Sequence, residues 1–228
     1  MVLTGGSGIL GTELIKCFNN SGLKFFAPTS LECDIRSSIS VDLFLRKVSA
    51  GTLIHSAAST NVKQIEDDPT MAYDVNVLGT INIINACKKY NMRLVFISTD
   101  YVFDGTTGDY VPDDPINPLS KYAKTKAAAE LLVRTYEKSL VIRTSFFGYD
   151  FPYPAAFHDQ WSTKDYIDIM APKIFDEIQK NEYGITHVYS KKRTIYEIAK
   201  TRSPHVKSMS YKDFNFSLPK DTSLRSDK

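Results

Sequence analysis

Met1-Val2-Leu3-Thr4-Gly5-Gly6-Ser7-Gly8-Ile9-Leu10-Gly11-Thr12-Glu13-Leu14-Ile15 decides the fold. A short apolar run enters a glycine-rich turn, and the turn passes straight into a helical pattern. Gly6, Gly8 and Gly11 satisfy G-x-G-x-x-G, while Gly5, Gly8 and Gly11 satisfy the wider G-x-x-G-x-x-G spacing. Missing Cβ atoms permit a tight turn, close approach of backbone to a pyrophosphate and close helix packing, and the helix N-terminus offers N–H groups to an anion. Read in its strand-turn-helix context, the motif predicts dinucleotide binding; a plain strand-turn-helix is the competing reading.

Strand and helix patterns alternate onward from this turn. Lys24 to Ala27 is a second strand candidate closed by Pro28-Thr29-Ser30, and Ser38 to Val48 is a helix candidate. Thr52-Leu53-Ile54-His55-Ser56-Ala57-Ala58-Ser59 reads as an apolar strand ending in small residues, which would let a flat cofactor approach the backbone. His55 reads as a structural histidine. Val62 to Asp68 looks polar and mobile. Met71 to Tyr90 reads as one long helix with Asn76 in its interior, where Asn is mildly unfavourable unless solvated or holding backbone and water near a site. Leu94 to Ile97 completes four strand-helix alternations in fewer than 100 residues, which predicts an α/β fold of Rossmann type: a doubly wound parallel sheet with right-handed crossovers.

An NAD-selective site usually places a carboxylate about 20 residues beyond the glycines. The strand end at Thr29-Ser30 has none, and Glu32 lies past the turn. That leaves room for a 2′-phosphate and tilts the reading to NADP, with NAD kept open because no arginine stands there either. Asp34 is placed to cap a helix or to contact adenine.

Chemistry concentrates between Val95 and Lys126. Ser98-Thr99-Asp100-Tyr101-Val102-Phe103-Asp104-Gly105 follows the apolar strand, and Tyr122-Ala123-Lys124-Thr125-Lys126 opens an Ala-rich helix predicted over Tyr122 to Tyr136. Tyr122 and Lys126, four apart, rise from one helix face. Side chains cannot donate hydride, so a nicotinamide would supply it while the protein orients the substrate and moves a proton. Tyr122 would protonate the substrate oxygen, Thr99 would polarise it, and a cationic Lys126 would draw the phenol down from its ordinary pKa of about 10. The plain alternative is the surface-facing start of an amphipathic helix.

After the strand Leu140-Val141-Ile142-Arg143 the chain turns aromatic, from Phe146 through Trp161, as a lid, a substrate-contacting loop or a packed loop would. Tyr166 to Ile178 reads as a helix, Val188-Tyr189-Ser190 as a short strand and Thr194 to Lys200 as a short helix.

With 43% apolar and 24% charged residues, the 228-residue chain has an ordinary globular composition. A net charge of +2 without an Arg/Lys cluster argues against a nucleic-acid partner. Cys17, Cys33 and Cys87 lack metal-ligand spacing, so no metal is expected and a reducing compartment is. Neither a membrane span nor a signal peptide is indicated, which points to a cytoplasmic protein; a homodimer is left open.

These motifs together resemble the extended short-chain dehydrogenase/reductase family, and most closely its dTDP-4-dehydrorhamnose reductase branch. The likeness rests on Thr4 to Gly11, on Asp34-Ile35, on Asn76 followed by Gly79-Thr80, on the specific S-T-D-Y-V-F-D-G string and on Y-A-K-T-K. The resemblance implies an NADP-preferring reductase of the 4-keto group of a nucleotide-linked 6-deoxy sugar. Its catalytic residues would be Thr99, Tyr122 and Lys126. Its cofactor contacts would be Gly5, Ser7, Gly8, Ile9, Leu10, Gly11, Asp34, Ile35, Ala57, Ala58, Ser59, Asn76, Tyr122 and Lys126. Substrate would meet Thr99, Asp100, Tyr101, Phe103 and Trp161.

Residues 1–145 are expected to form the NAD(P)-binding Rossmann domain and 146–228 a reduced substrate-binding lobe, with segments near 155–195 returning to the Rossmann core. Asp159-Gln160 with Thr163-Lys164-Asp165-Tyr166 resembles a compressed D-Q-x-x-x-P-T segment, with Lys164 in the proline-threonine context. Two other functions stay open: a non-catalytic NADP-binding regulatory or scaffold protein, and an epimerase or dehydratase of the same superfamily, though Asp100-Tyr101 lacks the Asp-Glu pair a dehydratase would want.

Overall fold

The computed structural model describes residues 1–213 and 218–226. Strand β1 (Val2–Thr4) runs through the glycine turn into helix α1 (Ile9–Asn20), followed by α2 (Ser38–Leu45), β2 (Thr52–His55) and α3 (Val62–Asp67). The next helix comes in three pieces: α4 (Thr70–Ala72), a π-helical segment over Tyr73–Leu78, and α5 (Gly79–Lys89). Strand β3 (Arg93–Thr99) ends in a 3-10 turn over Asp100–Val102, and α6 (Lys121–Val133) leads to β4 (Ser139–Thr144). Then come β5 (Phe146–Phe147), β6 (Ala155–Phe157), β7 (Trp161–Ser162), β8 (Asp165–Tyr166), α7 (Ile167–Gln179), β9 (Gly184–His187), β10 (Arg193–Thr194), α8 (Ile195–Lys200) and β11 (Lys207–Met209).

Five parallel strands pair in the order β1-β2-β3-β4-β9. Because successive side chains point to opposite faces, each strand feeds two cores. Val2, Leu53, Leu94, Phe96 and Val141 face α2, α5 and α6, meeting Val41, Ile83 and Val133. Leu3, Ile54, Val95, Ile97, Leu140 and Ile142 face α1 and α7, meeting Leu14, Phe18, Met170 and Ile174. Burial on both faces is what near-continuous apolar strands specify, and the result is a Rossmann-type doubly wound sheet. A small lobe of two-stranded pairs, β5 with β8, β6 with β11 and β7 with β10, packs around Phe151, Tyr166, Ile195 and Ile198.

Several segments differ from the sequence expectation. Lys24 to Ala27 makes a single parallel bridge, Phe26 to Val2: Leu3 N–H to Phe26 O (2.8 Å) and Phe26 N–H to Met1 O (2.9 Å) form before Pro28, and the terminal ammonium of Met1 adds a bond to Lys24 O (3.0 Å). The polar-looking Val62–Asp67 is helical: Asn61 caps it by accepting from Gln64 N–H at 3.1 Å, and Ile65 is buried beneath it. Ser37, not Asp34, caps α2. The strand foreseen at Val188 lies earlier, over Gly184–His187, with Val188 N–H bonding Arg143 O just past its end. The α8 boundary follows from a capping box, Thr194 and Glu197 each satisfying the other's backbone N–H.

Helix α6 is anchored by charge in a wholly buried place. Glu130 and Arg143 form an ion pair at 2.7 Å with both side chains fully buried. Ser98 donates to Glu130 at 2.6 Å, and Arg143 also donates to Pro112 O at 2.9 Å while lying over the Phe103 ring. Removing one partner of such a pair strands an uncompensated charge, so Glu130→Ala should lower the unfolding free energy by about 3–5 kcal/mol in a urea titration. Glu130→Leu combined with Arg143→Met should regain most of that loss.

Candidate active site

The carboxyl ends of β1, β2 and β3 form one edge, and the candidate residues gather there. Gly5 has φ +78°, and a Cβ on it would lie 2.6 Å from Ala57 N. A Cβ on Gly11 would lie 2.2 Å from Gly5 O. Both glycines are therefore required by the protein's own packing. Gly8 is different: its Cβ would meet only Gly5 O, at 3.3 Å, so this glycine keeps space clear on the outside of the turn.

Gly8 is also the N-cap of α1, with no side chain capping it and no acidic residue in the first turn. Thr12 N–H makes the first bond back, to Gly8 O at 2.9 Å, which leaves the Ile9 and Leu10 N–H groups ahead of the helix ladder. An uncapped positive helix end beside an open turn suits a pyrophosphate. Ser7 is exposed on this turn, Ile9 is largely exposed and Leu10 is core.

The residues expected on the adenosine side are fixed by short-range bonds. Glu32 turns back to accept from Thr29 N–H (2.8 Å) and Thr29 Oγ1–H (2.9 Å), so its carboxylate closes its own turn. Asp34 is held by Arg36, whose Nε and Nη2 donate to it at 2.9 and 2.8 Å; the bonded guanidinium holds the carboxyl below its usual range. Ile35 is buried in the core, its carbonyl taking Asn82 Nδ2–H at 2.8 Å.

Asn76, buried in the π-helical segment, bonds both backbone groups of Ser59, accepting its N–H at 2.8 Å and donating to its O at 3.0 Å, and donates to Thr125 Oγ1 at 3.0 Å. It thereby ties the half-buried Ala57-Ala58-Ser59 stretch to the first turns of α6. His55 is structural: Thr80 gives its proton to Asn76 O, so His55 Nε2–H donates to Thr80 and Nδ1 accepts from Thr4. Complete burial pushes its pKa down to about 3.

Thr99 caps the 3-10 turn, accepting Tyr101 N–H at 3.2 Å and donating to Asp100 Oδ1 at 3.2 Å. Ser120 caps α6, and Tyr122 comes up half-buried in its first turn, beside Thr99. Lys126, 4% exposed one turn further, donates to Ile97 O at 2.8 Å and sits 4.1 Å from the Phe96 ring centre. The three residues thus converge, but with electrostatics opposite to the expectation. Loss of water and then the negative Asp100 raise the Tyr122 pKa above its ordinary value, and the neighbouring Thr99 hydroxyl opposes this only in part. Burial brings Lys126 down to about 7, with Glu130 pulling the other way.

Of the expected substrate contacts, Asp100 and Tyr101 lie beside Thr99. Phe103 does not present itself to a ligand: it is fully buried, stacked on Tyr110 at 4.1 Å with Arg143 over it, because the chain after the 3-10 turn dives into a satellite core. Trp161, about one-third exposed, is joined through its backbone to Lys220 and Thr222.

Sequence reasoning missed Glu130, although Tyr122, Lys126 and Glu130 continue one period of four. It also missed Thr222, which donates to Asp100 Oδ2 at 2.7 Å across 122 residues, a pairing that carries no local signal. Tyr149, whose hydroxyl donates to Glu13 on α1, was read only as part of an aromatic run. Among the described residues no group of three or more His, Cys, Asp or Glu side chains could hold a metal ion, and no helix is long and apolar enough to cross a membrane.

A family model described as RmlD substrate binding domain matches residues 1–171. The dTDP-4-dehydrorhamnose reductase of Aggregatibacter actinomycetemcomitans is 36% identical over 149 residues, 64% of this chain and 51% of that protein. The chain spans about half the length of the curated relatives it matches. Among solved structures, dTDP-4-dehydrorhamnose reductase from Bacillus anthracis in complex with NADP superposes with a TM-score of 0.90 at 25% identity, covering 99% of this chain and 90% of that one. The Clostridium acetobutylicum structure gives 0.89 at 26% identity, covering 98% and 89%.

Lys126 gives the site a pH signature. Between about 7, where it titrates in the folded chain, and its ordinary 10.5, unfolding takes up a proton, so stability rises with pH across that window. Urea unfolding at pH 7, 8 and 9 should show this slope in the wild type and a flatter one in Lys126→Met.

Proposed function

We propose, because this chain belongs to the RmlD substrate binding domain family, that it reduces the 4-keto group of a nucleotide-linked deoxy sugar with NADPH. The convergence of Thr99, Tyr122 and Lys126 at the carboxyl edge of β3, beside an uncapped glycine turn, supports this most strongly. The NADP complex of the B. anthracis relative supports the choice of cofactor. So does the Glu32 carboxylate, bonded to its own turn and not left free for a 2′-hydroxyl.

The turn at Gly5, Gly8, Ile9 and Leu10 would hold the pyrophosphate, Ala57-Ala58-Ser59 would border the dinucleotide, and Lys126 would bond the nicotinamide ribose. When bound, the reduced nicotinamide supplies hydride to the carbonyl carbon. Tyr122, kept protonated by its dry surroundings, gives its phenolic proton to the carbonyl oxygen as negative charge develops there. Thr99 exchanges its bond to Asp100 for one to that oxygen and orients it. Lys126, titrating near neutrality, stands one helical turn below Tyr122 to compensate the phenolate that results.

In this reading residues 1–145 are the dinucleotide-binding part. Residues 146–228, apart from α7 and β9 which complete the sheet, are the substrate-binding part. Tyr122→Phe should cut NADPH oxidation with a nucleotide-linked 4-keto sugar by about 10²- to 10⁴-fold while leaving NADPH affinity little changed. Unaltered turnover in that variant overturns the assignment. Tight NADPH binding without turnover of any nucleotide-linked 4-keto sugar favours the non-catalytic reading instead.

A further inference from the structure

Lys164 stands in a place where a lysine is costly. It is 8% exposed, and its ammonium lies 5.2 Å from the centre of the Tyr101 ring and 5.1 Å from that of Phe147. Ring faces attract a cation without consuming its directional N–H donors. Asp100, the nearby carboxylate, already accepts from Thr99 on one oxygen and Thr222 on the other.

Burial works against the charge, yet Tyr101 and Asp100 outweigh it and Lys164 titrates above the ordinary lysine value. Lys126, with a carbonyl and a ring for neighbours, goes the other way. Lys164 is thus a fixed cation with donors to spare.

Its backbone is equally fixed. Lys164 N–H donates to Ser162 Oγ at 3.2 Å, and the preceding Thr163 accepts Ser190 N–H at 2.7 Å and, on its hydroxyl, Leu224 N–H at 3.0 Å. The nearby carboxylate, Asp100, is the same one that acts on the Tyr122 phenol.

We propose that Lys164 is a substrate-binding and specificity-determining residue that takes an anionic oxygen of the substrate, from the diphosphate or from a carboxylate on the sugar, next to Asp100 and Tyr101. This rests on the reading of the site as a nucleotide-sugar pocket. An incoming oxyanion gains a charge-assisted hydrogen bond from a cation already stripped of water and held in position.

Calorimetry on the NADP-saturated protein tests this with two pairs of probes: thymidine diphosphate against thymidine, and UDP-glucuronate against UDP-glucose. In wild type and in Lys164→Arg, the anionic member of one pair should bind better than its neutral counterpart. Lys164→Met should reduce that preference by about tenfold, with NADP affinity unchanged. A loss confined to the first pair assigns the diphosphate, and a loss confined to the second assigns the sugar carboxylate. If K164M does not fold, K164Q carries the same comparison without the charge.

Equal binding of all four probes by wild type and a folded Lys164 variant overturns the proposal, as does a wild type that binds none of them. Reductase turnover that persists alongside such a result leaves the functional reading standing. Lys164-dependent anion binding without turnover of 4-keto sugars removes the reductase reading alone.

Discussion

The buried pair between Glu130 and Arg143 sets the geometry on which the site depends. Tyr122, Lys126 and Glu130 follow one another at intervals of four along α6, so they share a face. The lowest of the three is clamped to β4 through Arg143 and to β3 through Ser98, the residue immediately before Thr99. The separation of the hydroxyl at the strand end from the phenol on the helix is therefore fixed two turns below the chemistry, by a charge pair that water does not reach. Dehydrating both partners is expensive, and the bonds to Ser98 and Pro112 satisfy groups that would otherwise be left bare.

Low dielectric also divides the titrating groups of the site. Dehydration works against the charge of both buried lysines. Lys126, with Glu130 a full turn away, gives up most of its hold on the proton, whereas Lys164 keeps its charge against Tyr101 and Asp100. Tyr122 is pressed towards its neutral form by the same Asp100 that helps keep Lys164 charged. Thr99, Asp100, Tyr101, Tyr122 and Lys164 thus behave as one electrostatic unit.

What could be read from the sequence was whatever has a short period or a local spacing. The glycine turn, the apolar strands at Leu53, Val95 and Val141, and the Tyr122–Lys126 pair were all legible because each is written within a dozen residues. The edge segment at Lys24 to Ala27 misled because an apolar run says nothing of how many backbone bonds its neighbour can offer. Phe103 misled because it stands in the S-T-D-Y-V-F-D-G string, yet backbone direction after Val102, not proximity in sequence, sends it into the core. The direction of the Tyr122 shift needed knowledge of burial, which a motif does not carry. Thr222 against Asp100, and Lys164 against Tyr101 and Phe147, join residues far apart in the chain, and no pattern in either segment announces them.

The bond from Thr222 to Asp100 bears on how the molecule comes together in time. Segments near Gly105 to Tyr110 receive the chain around Pro219 to Arg225: Asp221 N–H bonds Gly105 O, Tyr110 N–H bonds Ser223 O, and Arg225 N–H bonds Tyr110 O. Gly105 and Gly108, both at positive φ, leave no room for a Cβ against Pro219 and Asp221. Closing a loop of this length has a large entropic cost before any of these contacts rewards it. The parallel sheet and α6 are built from nearer neighbours, so the wall beside Asp100 closes a far longer loop than the strand edge that carries the glycine turn.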